Sequence, residues 1–138
     1  GQFSPLSGVG TKATTAPYSN IDREFDTVEL ATGAGATFVA RTTVYHVKQL
    51  QSFIKKAITH NCFSVLEVLS QCPTYIGRKN RKGSAVDMMN SFKDGTVPVG
   101  SKKKEANPEL IERGIFVEKK CPEYCEAYAE LVERATAK

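Results

Sequence analysis

Three short segments carry residue types that could bind a cofactor or an anion, and the first contains a cysteine. Cys72 stands in residues 70–74, Ser-Gln-Cys-Pro-Thr, directly after an apolar stretch. A Cys-Pro pair recurs at iron–sulfur ligands, where the proline turns the chain around the cluster. Composition alone favours instead a small buried thiol. The residues leave both interpretations of Cys72 open.

The second segment opens the chain, where Gly1 and Gln2 precede Phe3, Ser4 and Pro5. A glycine beside a side-chain amide and a hydroxyl can approach and hydrogen-bond an anionic cofactor. An ordinary frayed terminus is the alternative that a chain end favours.

The third segment ends at Arg41, after the apolar residues 37–40. An arginine at the end of a strand can donate paired hydrogen bonds to a carboxylate or a phosphate. A structural salt bridge is the equal alternative.

Basic clusters at residues 78–82 and 102–104 indicate either solvated loop charge or a docking surface for an acidic partner.

Composition and charge exclude several classes of protein. The net charge of +4 in 138 residues is mildly basic and lacks the clustered excess of a dedicated nucleic-acid binder, so we expect no nucleic-acid partner. No apolar run approaches the ~18 residues of a membrane-spanning helix, so we expect no membrane partner. The four cysteines show no zinc-finger spacing. With no visible export signal, we expect a cytoplasmic protein whose first residue, Gly1, results from processing or cutting.

The elements that must position these residues begin with a strand–helix–strand unit. Residues 37–40 form a short buried strand, Thr43 is a candidate N-cap, and residues 64–69 form a nearly continuous apolar strand. The helix between the strands carries one apolar stripe: Val47, Leu50, Ile54, Ala57 and Ile58. We expect a right-handed crossover between parallel strands.

The remaining segments give weaker patterns. Residues 1–20 are irregular and turn-rich, residues 22–34 form a weak helix, and residues 93–114 are polar and mixed. Ser84 can cap a helix that runs to about Phe92, with Val86 and Met89 as apolar contacts. The remaining predictions are a short strand or apolar plug at 115–117 and a terminal helix over 122–135.

Two confident strands do not make a stable sheet. We therefore expect this chain to complete a sheet whose other strands lie upstream or in another chain.

Several segments resemble, in the same order, the beta subunit of the 2-oxoacid:ferredoxin oxidoreductases. They are residues 1–5, Gly-Gln-Phe-Ser-Pro, the run 35–50, which contains Phe-Val-Ala-Arg, and residues 67–74, Glu-Val-Leu-Ser-Gln-Cys-Pro-Thr. The ending 114–118, followed by Pro122, Glu123 and Tyr124, also resembles the C-terminus of that subunit. The likeness is to the 2-oxoglutarate type, also called 2-oxoglutarate synthase.

The resemblance implies an α/β fold of the thiamine diphosphate-binding type, a mainly parallel sheet with flanking helices. This chain would be its C-terminal part. Residues 1–92 would be the C-terminal part of the thiamine diphosphate-binding domain, and residues 93–138 a C-terminal extension with a terminal helix.

The activity implied is the oxidative decarboxylation of a 2-oxoacid to acyl-CoA, with electrons passed to ferredoxin. The implied partners are the alpha subunit, with small gamma and delta subunits as candidates, together with ferredoxin, coenzyme A and the 2-oxoacid. The alternative that the residues leave open is a non-catalytic basic module for an acidic protein or nucleic acid.

The implied cofactors are thiamine diphosphate, Mg²⁺ and a 4Fe–4S cluster. Gly1 and Gln2 match the tail of the cofactor loop, and Cys72 matches one cysteine ligand of the cluster. The Gly-Asp-Gly segment that holds the magnesium and diphosphate is absent from this sequence, as is the Cys-x-x-Cys that supplies other cluster ligands. No catalytic residue is assigned, and we expect the chain alone to be inactive.

Overall fold

The computed structural model describes residues 3–137. Gly1 and Gln2, the predicted cofactor-binding residues, lie outside the described residues. The described helices and strands are, in order: α1 Thr27–Gly33, β1 Phe38–Thr43, α2 Val47–Thr59, β2 Ser64–Leu69, α3 Ala85–Asp94, β3 Thr96–Pro98, α4 Lys102–Ala106, β4 Ile111–Glu118 and α5 Tyr124–Thr136. A π-helical turn, Pro73–Gly77, follows β2.

The strands form one sheet in the order β2-β1-β4-β3. β1 pairs with β2 in parallel and with β4 antiparallel, and β3 pairs with β4 in parallel. The predicted strand–helix–strand unit is confirmed, and the pairings of the described sheet are mainly parallel. The sheet also contains β3 and most of β4, which the sequence did not predict.

The core lies on both faces of β1. Alternate residues of a strand point to opposite faces, and Phe38 and Ala40 pack with Phe53 of α2. On the other face, Val39 packs with Val28 of α1 and with further small residues. β1 is therefore the central strand that holds a helix on each side.

The buried face of α2 differs from the predicted stripe. Phe53 is the buried residue, while Val47, Ile54 and Ile58 are exposed. The apolar residues of this helix cover a wide arc, and the sheet covers only the side that carries Phe53 and Ala57. The prediction chose the neighbouring side of the same arc.

The start of α2 was also predicted wrongly. The N-cap residue is His46, and Thr43 is the last residue of β1. The Thr43 hydroxyl accepts the Tyr45 N–H at 3.2 Å and lies 2.9 Å from His46 Nδ1. Thr43 therefore shapes the turn before the helix instead of capping it.

The other helices differ from the prediction mainly at their ends and faces. α1 begins at Thr27 because the Asp26 carboxylate accepts the N–H groups of Val28 and Glu29. Ser84 does cap α3, in a reciprocal capping box with Asp87. The buried residue of α3 is Met88, whereas Val86 is exposed. α5 buries none of its predicted apolar face within this chain.

Among residues 3–137, no helix combines the length and apolar character needed to cross a membrane.

Candidate functional site

Cys72 lies at the carboxyl end of β2, three residues after Leu69. It precedes the π-helical turn, whose first residue is Pro73, and its carbonyl accepts the Gly77 N–H at 2.8 Å. Ligands of open α/β sheets bind at this end of the strands. The thiol is exposed, so the buried-thiol interpretation is wrong.

The π-helical turn favours the thiolate form of Cys72. The backbone N–H of Ile76 and, to a smaller extent, that of Tyr75 lower the pKa of the Cys72 thiol by hydrogen bonding to it. The thiolate is the form that binds metals and attacks electrophiles. The position of Cys72 and its lowered pKa both suit a metal ligand.

The backbone of the turn packs closely against α3. A Cβ placed on Gly77 would collide with the Met88 Sδ atom. The lack of a side chain at Gly77 therefore allows this approach, and Met88 is the buried residue of α3 that supports the turn. The capping box at Ser84 fixes where α3 begins and so where Met88 lies.

Asn80 connects the turn to the N-terminal segment. Its Oδ1 accepts the Lys12 N–H at 2.8 Å, and its Nδ2 donates to the Lys12 and Ile76 carbonyls, each at 2.8 Å. One side chain therefore fastens residue 12 to the chain that follows Cys72.

The N-terminal segment is irregular, as predicted, and a buried residue organises it. The Asn20 side chain donates to the Ser7 and Asp22 carbonyls at 2.7 and 3.1 Å. Its backbone bonds to Gly10 and Thr11. A depression of about 390 Å³ lies beside it, lined in part by Phe3, Ser4 and Pro5.

Arg41 lies within β1, which continues to Thr43, and not at the strand's end as predicted. Its guanidinium contacts the buried Glu67 carboxylate and donates to Asp26 Oδ1 at 2.9 Å. It also lies over the Phe116 ring, 5.7 Å from its centre. These groups line a cavity of about 720 Å³. The salt-bridge interpretation of Arg41 accounts for these contacts.

The basic residues after the turn lie on the surface. Arg78, Lys79, Arg81 and Lys82 are exposed, and none forms an ion pair within residues 3–137. Within the same range, no group of three or more His, Cys, Asp or Glu side chains could hold a metal ion. Cys72 could therefore supply one ligand of a shared centre but no complete site.

Sequence analysis missed Glu67 and Asn80. Glu67 lies in an apolar run, where a lone acid next to Arg41 in a parallel register could have suggested a buried pair. Asn80 lies between basic residues, and no sequence signal distinguishes it from an ordinary turn asparagine.

Comparisons with known proteins agree with this geometry. Residues 5–68 match the family described as thiamine pyrophosphate enzyme, C-terminal TPP binding domain. The 2-oxoglutarate synthase subunit KorB of Methanothermobacter marburgensis is 41% identical over 142 aligned residues, covering 100% of this chain and 50% of that protein. The KorB subunit of Methanocaldococcus jannaschii is 41% identical over 137 residues, covering 97% of this chain and 51% of that protein.

A third relative is the 2-oxoacid:ferredoxin oxidoreductase subunit beta of Saccharolobus solfataricus, which is 44% identical over 75 residues, 54% of this chain and 25% of that protein. The chain spans about half the length of the first two relatives.

The fold is shared with a solved structure. A chain of the 2-oxoglutarate:ferredoxin oxidoreductase from Magnetococcus marinus, solved with 2-oxoglutarate, coenzyme A and succinyl-CoA bound, superposes with a TM-score of 0.77. The likeness covers 99% of this chain and 48% of that one, at 23% sequence identity. The predicted thiamine diphosphate-binding fold is confirmed. Given the relatives that match along its whole length, the chain belongs to the family of 2-oxoacid:ferredoxin oxidoreductase beta subunits.

Proposed function

We propose that this chain forms part of the beta subunit of a 2-oxoglutarate:ferredoxin oxidoreductase. The intact enzyme oxidatively decarboxylates a 2-oxoacid, transfers the acyl group to coenzyme A and passes the electrons to ferredoxin. The observation that carries the proposal is the identity of about 40% with two 2-oxoglutarate synthase subunits along nearly all of the chain. The proposed partners are an alpha subunit, with gamma and delta subunits as candidates, and ferredoxin.

Thiamine diphosphate, when bound, supplies the electron sink that decarboxylation of a 2-oxoacid needs. Gly1 and Gln2 are proposed to contact it at the tail of the cofactor loop. The match of residues 5–68 to a TPP binding domain supports thiamine diphosphate as the cofactor. Mg²⁺ would be held by groups outside this sequence, since no Gly-Asp-Gly segment occurs in it.

Cys72 fits the role of one ligand to a 4Fe–4S cluster. Such a cluster takes four thiolates, and the exposed Cys72 thiol has a lowered pKa. The other ligands would come from outside this chain. Because Asn80 connects Cys72's turn to residue 12, it would hold the cluster ligand in place relative to the N-terminal segment around Lys12.

We also propose a division after residue 92, between the thiamine diphosphate-binding part (1–92) and a C-terminal extension (93–138). In the structure, β3 and β4 join the same sheet as β1 and β2, so the extension would contribute strands to the domain.

The test is coenzyme A-dependent reduction of a viologen dye by the full-length beta subunit with its alpha partner, under anaerobic conditions. We expect reduction with 2-oxoglutarate. Absence of reduction with 2-oxoglutarate and with every other 2-oxoacid would contradict the proposed function.

The cluster assignment has its own readout. We expect Cys72→Ser to lower the iron content and the visible absorption of the purified complex while thiamine diphosphate remains bound. Cys125→Ser is the matched control, because Cys125 is also exposed but lies on α5. Equal iron content in the two variants would refute the ligand role of Cys72.

A further inference from the structure

Two exposed cysteines meet at the end of the sheet opposite to Cys72. Cys62 lies in the turn before β2, whereas Cys72 follows the end of that strand. Cys121 lies in the segment between β4 and α5. Both thiols are free and exposed.

The sheet itself brings the two cysteines together. Thr37, just before β1, donates its N–H to the Phe63 carbonyl at 2.9 Å and accepts the Lys119 N–H at 2.8 Å. The segments that contain Phe63 and Lys119 therefore flank the start of β1 on its two sides. Among the described residues, no strand separates these two segments beyond that point, and Cys62 and Cys121 lie in them.

Side-chain contacts complete the approach. The Cys62 thiol donates to the Pro122 carbonyl at 2.9 Å, the carbonyl directly after Cys121. The neighbouring Cys121 thiol is the main cause of the raised pKa of Cys62.

The backbone of Cys62 is held in an uncommon conformation. Its φ of 77° lies in the left-handed region, which residues with a side chain seldom adopt. Such conformations persist only where surrounding contacts impose them. The hydrogen bond to Pro122 is a contact that holds this turn in place.

We propose that Cys62 and Cys121 form a redox-active dithiol, which a low-molecular-weight disulfide oxidises to a disulfide bridge between the start of β2 and the segment before α5. The proposal does not depend on the proposed enzyme activity.

The exchange has two steps. The Cys121 thiolate attacks the small disulfide first, forms a mixed disulfide and releases one small thiol. The Cys62 thiolate then attacks the Cys121 sulfur, which forms the bridge and releases the second small thiol. The two protein thiols lose two electrons and two protons, and the small disulfide gains them.

Both cysteines lie outside helices and strands, so their sulfurs can close to the ~2.05 Å of a disulfide bond without breaking the sheet. The bridge would fasten the segment before α5, a helix whose residues are all outside the core. A reduced protein would hold this helix less firmly than an oxidised one.

The experiment uses the full-length beta subunit with its alpha partner, incubated with glutathione disulfide and digested without reduction. Mass spectrometry should find one cross-linked peptide pair that joins Cys62 to Cys121 and is two hydrogens lighter than the two reduced peptides together. Dithiothreitol should separate the pair. Only glutathione adducts, or a link between Cys121 and Cys125, would overturn the proposal.

Variants give a second, independent measurement. Cys62→Ser and Cys121→Ser should each abolish the cross-link, and Cys125→Ser should retain it. Amide hydrogen exchange of α5 should slow on oxidation in the wild type and in Cys125→Ser, but not in Cys62→Ser. Unchanged exchange in the cross-linked wild type would show that the bridge does not fasten α5 and would overturn that part of the proposal.

Discussion

Arg41 and Glu67 face each other across β1 and β2, and their charged groups form an ion pair inside the protein. The side chains are 12% and 6% exposed. Glu67 Oε1 has no hydrogen-bond partner among the described residues, so the Arg41 guanidinium is the main compensation for this buried charge.

Arg41→Met should therefore be strongly destabilising. Removing one partner of a buried ion pair leaves the other charge uncompensated and costs about 3–5 kcal/mol. Urea unfolding of the full-length beta subunit measures the loss. The double variant Arg41→Met with Glu67→Leu should recover most of it, because apolar replacement of both partners is often neutral. No recovery would mean that Arg41 stabilises the fold through Asp26 and Phe116 instead.

Asp26 gives a prediction about pH. Burial alone would raise its pKa, but the N–H groups of Glu29 and Val28 and the Arg41 guanidinium outweigh burial and lower the pKa from its ordinary 3.8. A lowered pKa means that the ionised carboxylate stabilises the fold above about pH 4, and that this contribution is lost as the pH falls through the lowered pKa.

Asp26→Asn isolates the charge, because asparagine still accepts the helix N–H groups. We expect it to be less stable than the wild type by about 0.2–1 kcal/mol at neutral pH, since the Asp26 side chain is 43% exposed. The difference should vanish in acid. A difference that is constant with pH would contradict the assignment to charge. Asp26→Ala should lose the cap as well, about 1 kcal/mol more.

Cys72 should react with iodoacetamide at lower pH than Cys62. The hydrogen bonds from Ile76 and Tyr75 lower the pKa of Cys72, whereas the Cys121 thiol raises that of Cys62. Peptide mapping of the cluster-free, reduced beta subunit gives both alkylation rates in one sample. The half-maximal rate should fall at a lower pH for Cys72. Coincident pH profiles would refute the effect of the turn.

Asn80→Ala should loosen the N-terminal segment. It removes the hydrogen bonds to Lys12 and Ile76, each worth about 1 kcal/mol. Amide exchange at Lys12 should rise. Asn80→Asp is the matched control, because its carboxylate can still accept the Lys12 N–H but cannot donate. Its exchange at Lys12 should stay near the wild-type value, and equal acceleration in both variants would contradict the pairing.

Gly77→Ala should displace the turn that carries Cys72. The added methyl group would meet Met88 Sδ, and such overpacking typically costs about 1–3 kcal/mol. Thermal unfolding measures the cost. Combining it with Met88→Ala, which makes room, should cost less than the sum of the two single changes. If the destabilisation of the double variant equalled that sum, the added methyl group at residue 77 would not clash with Met88.

The strand–helix–strand unit was predictable because its signals are local. Apolar runs define β1 and β2, and the helix between them has a clear period. The capping box at Ser84 is equally local, because both partners lie within one turn. These features need no knowledge of the rest of the chain.

The features that the sequence did not predict depend on residues far away in the sequence. β3 has three residues and ends in Pro98, so its pattern is too short to identify. Near its start, β4 carries the charged, half-buried residues Glu112 and Arg113, which do not give an apolar strand pattern. Only its pairing with β1 and β3 identifies it as a strand. Glu67 is buried because of Arg41, which lies on another strand.

The central place of β1 limits how this sheet can grow. Its hydrogen-bonding groups are used by β2 on one side and by β4 on the other. New strands can therefore join only at the outer rims, beside β2 or β3. A strand added at either rim would leave the existing ladders intact.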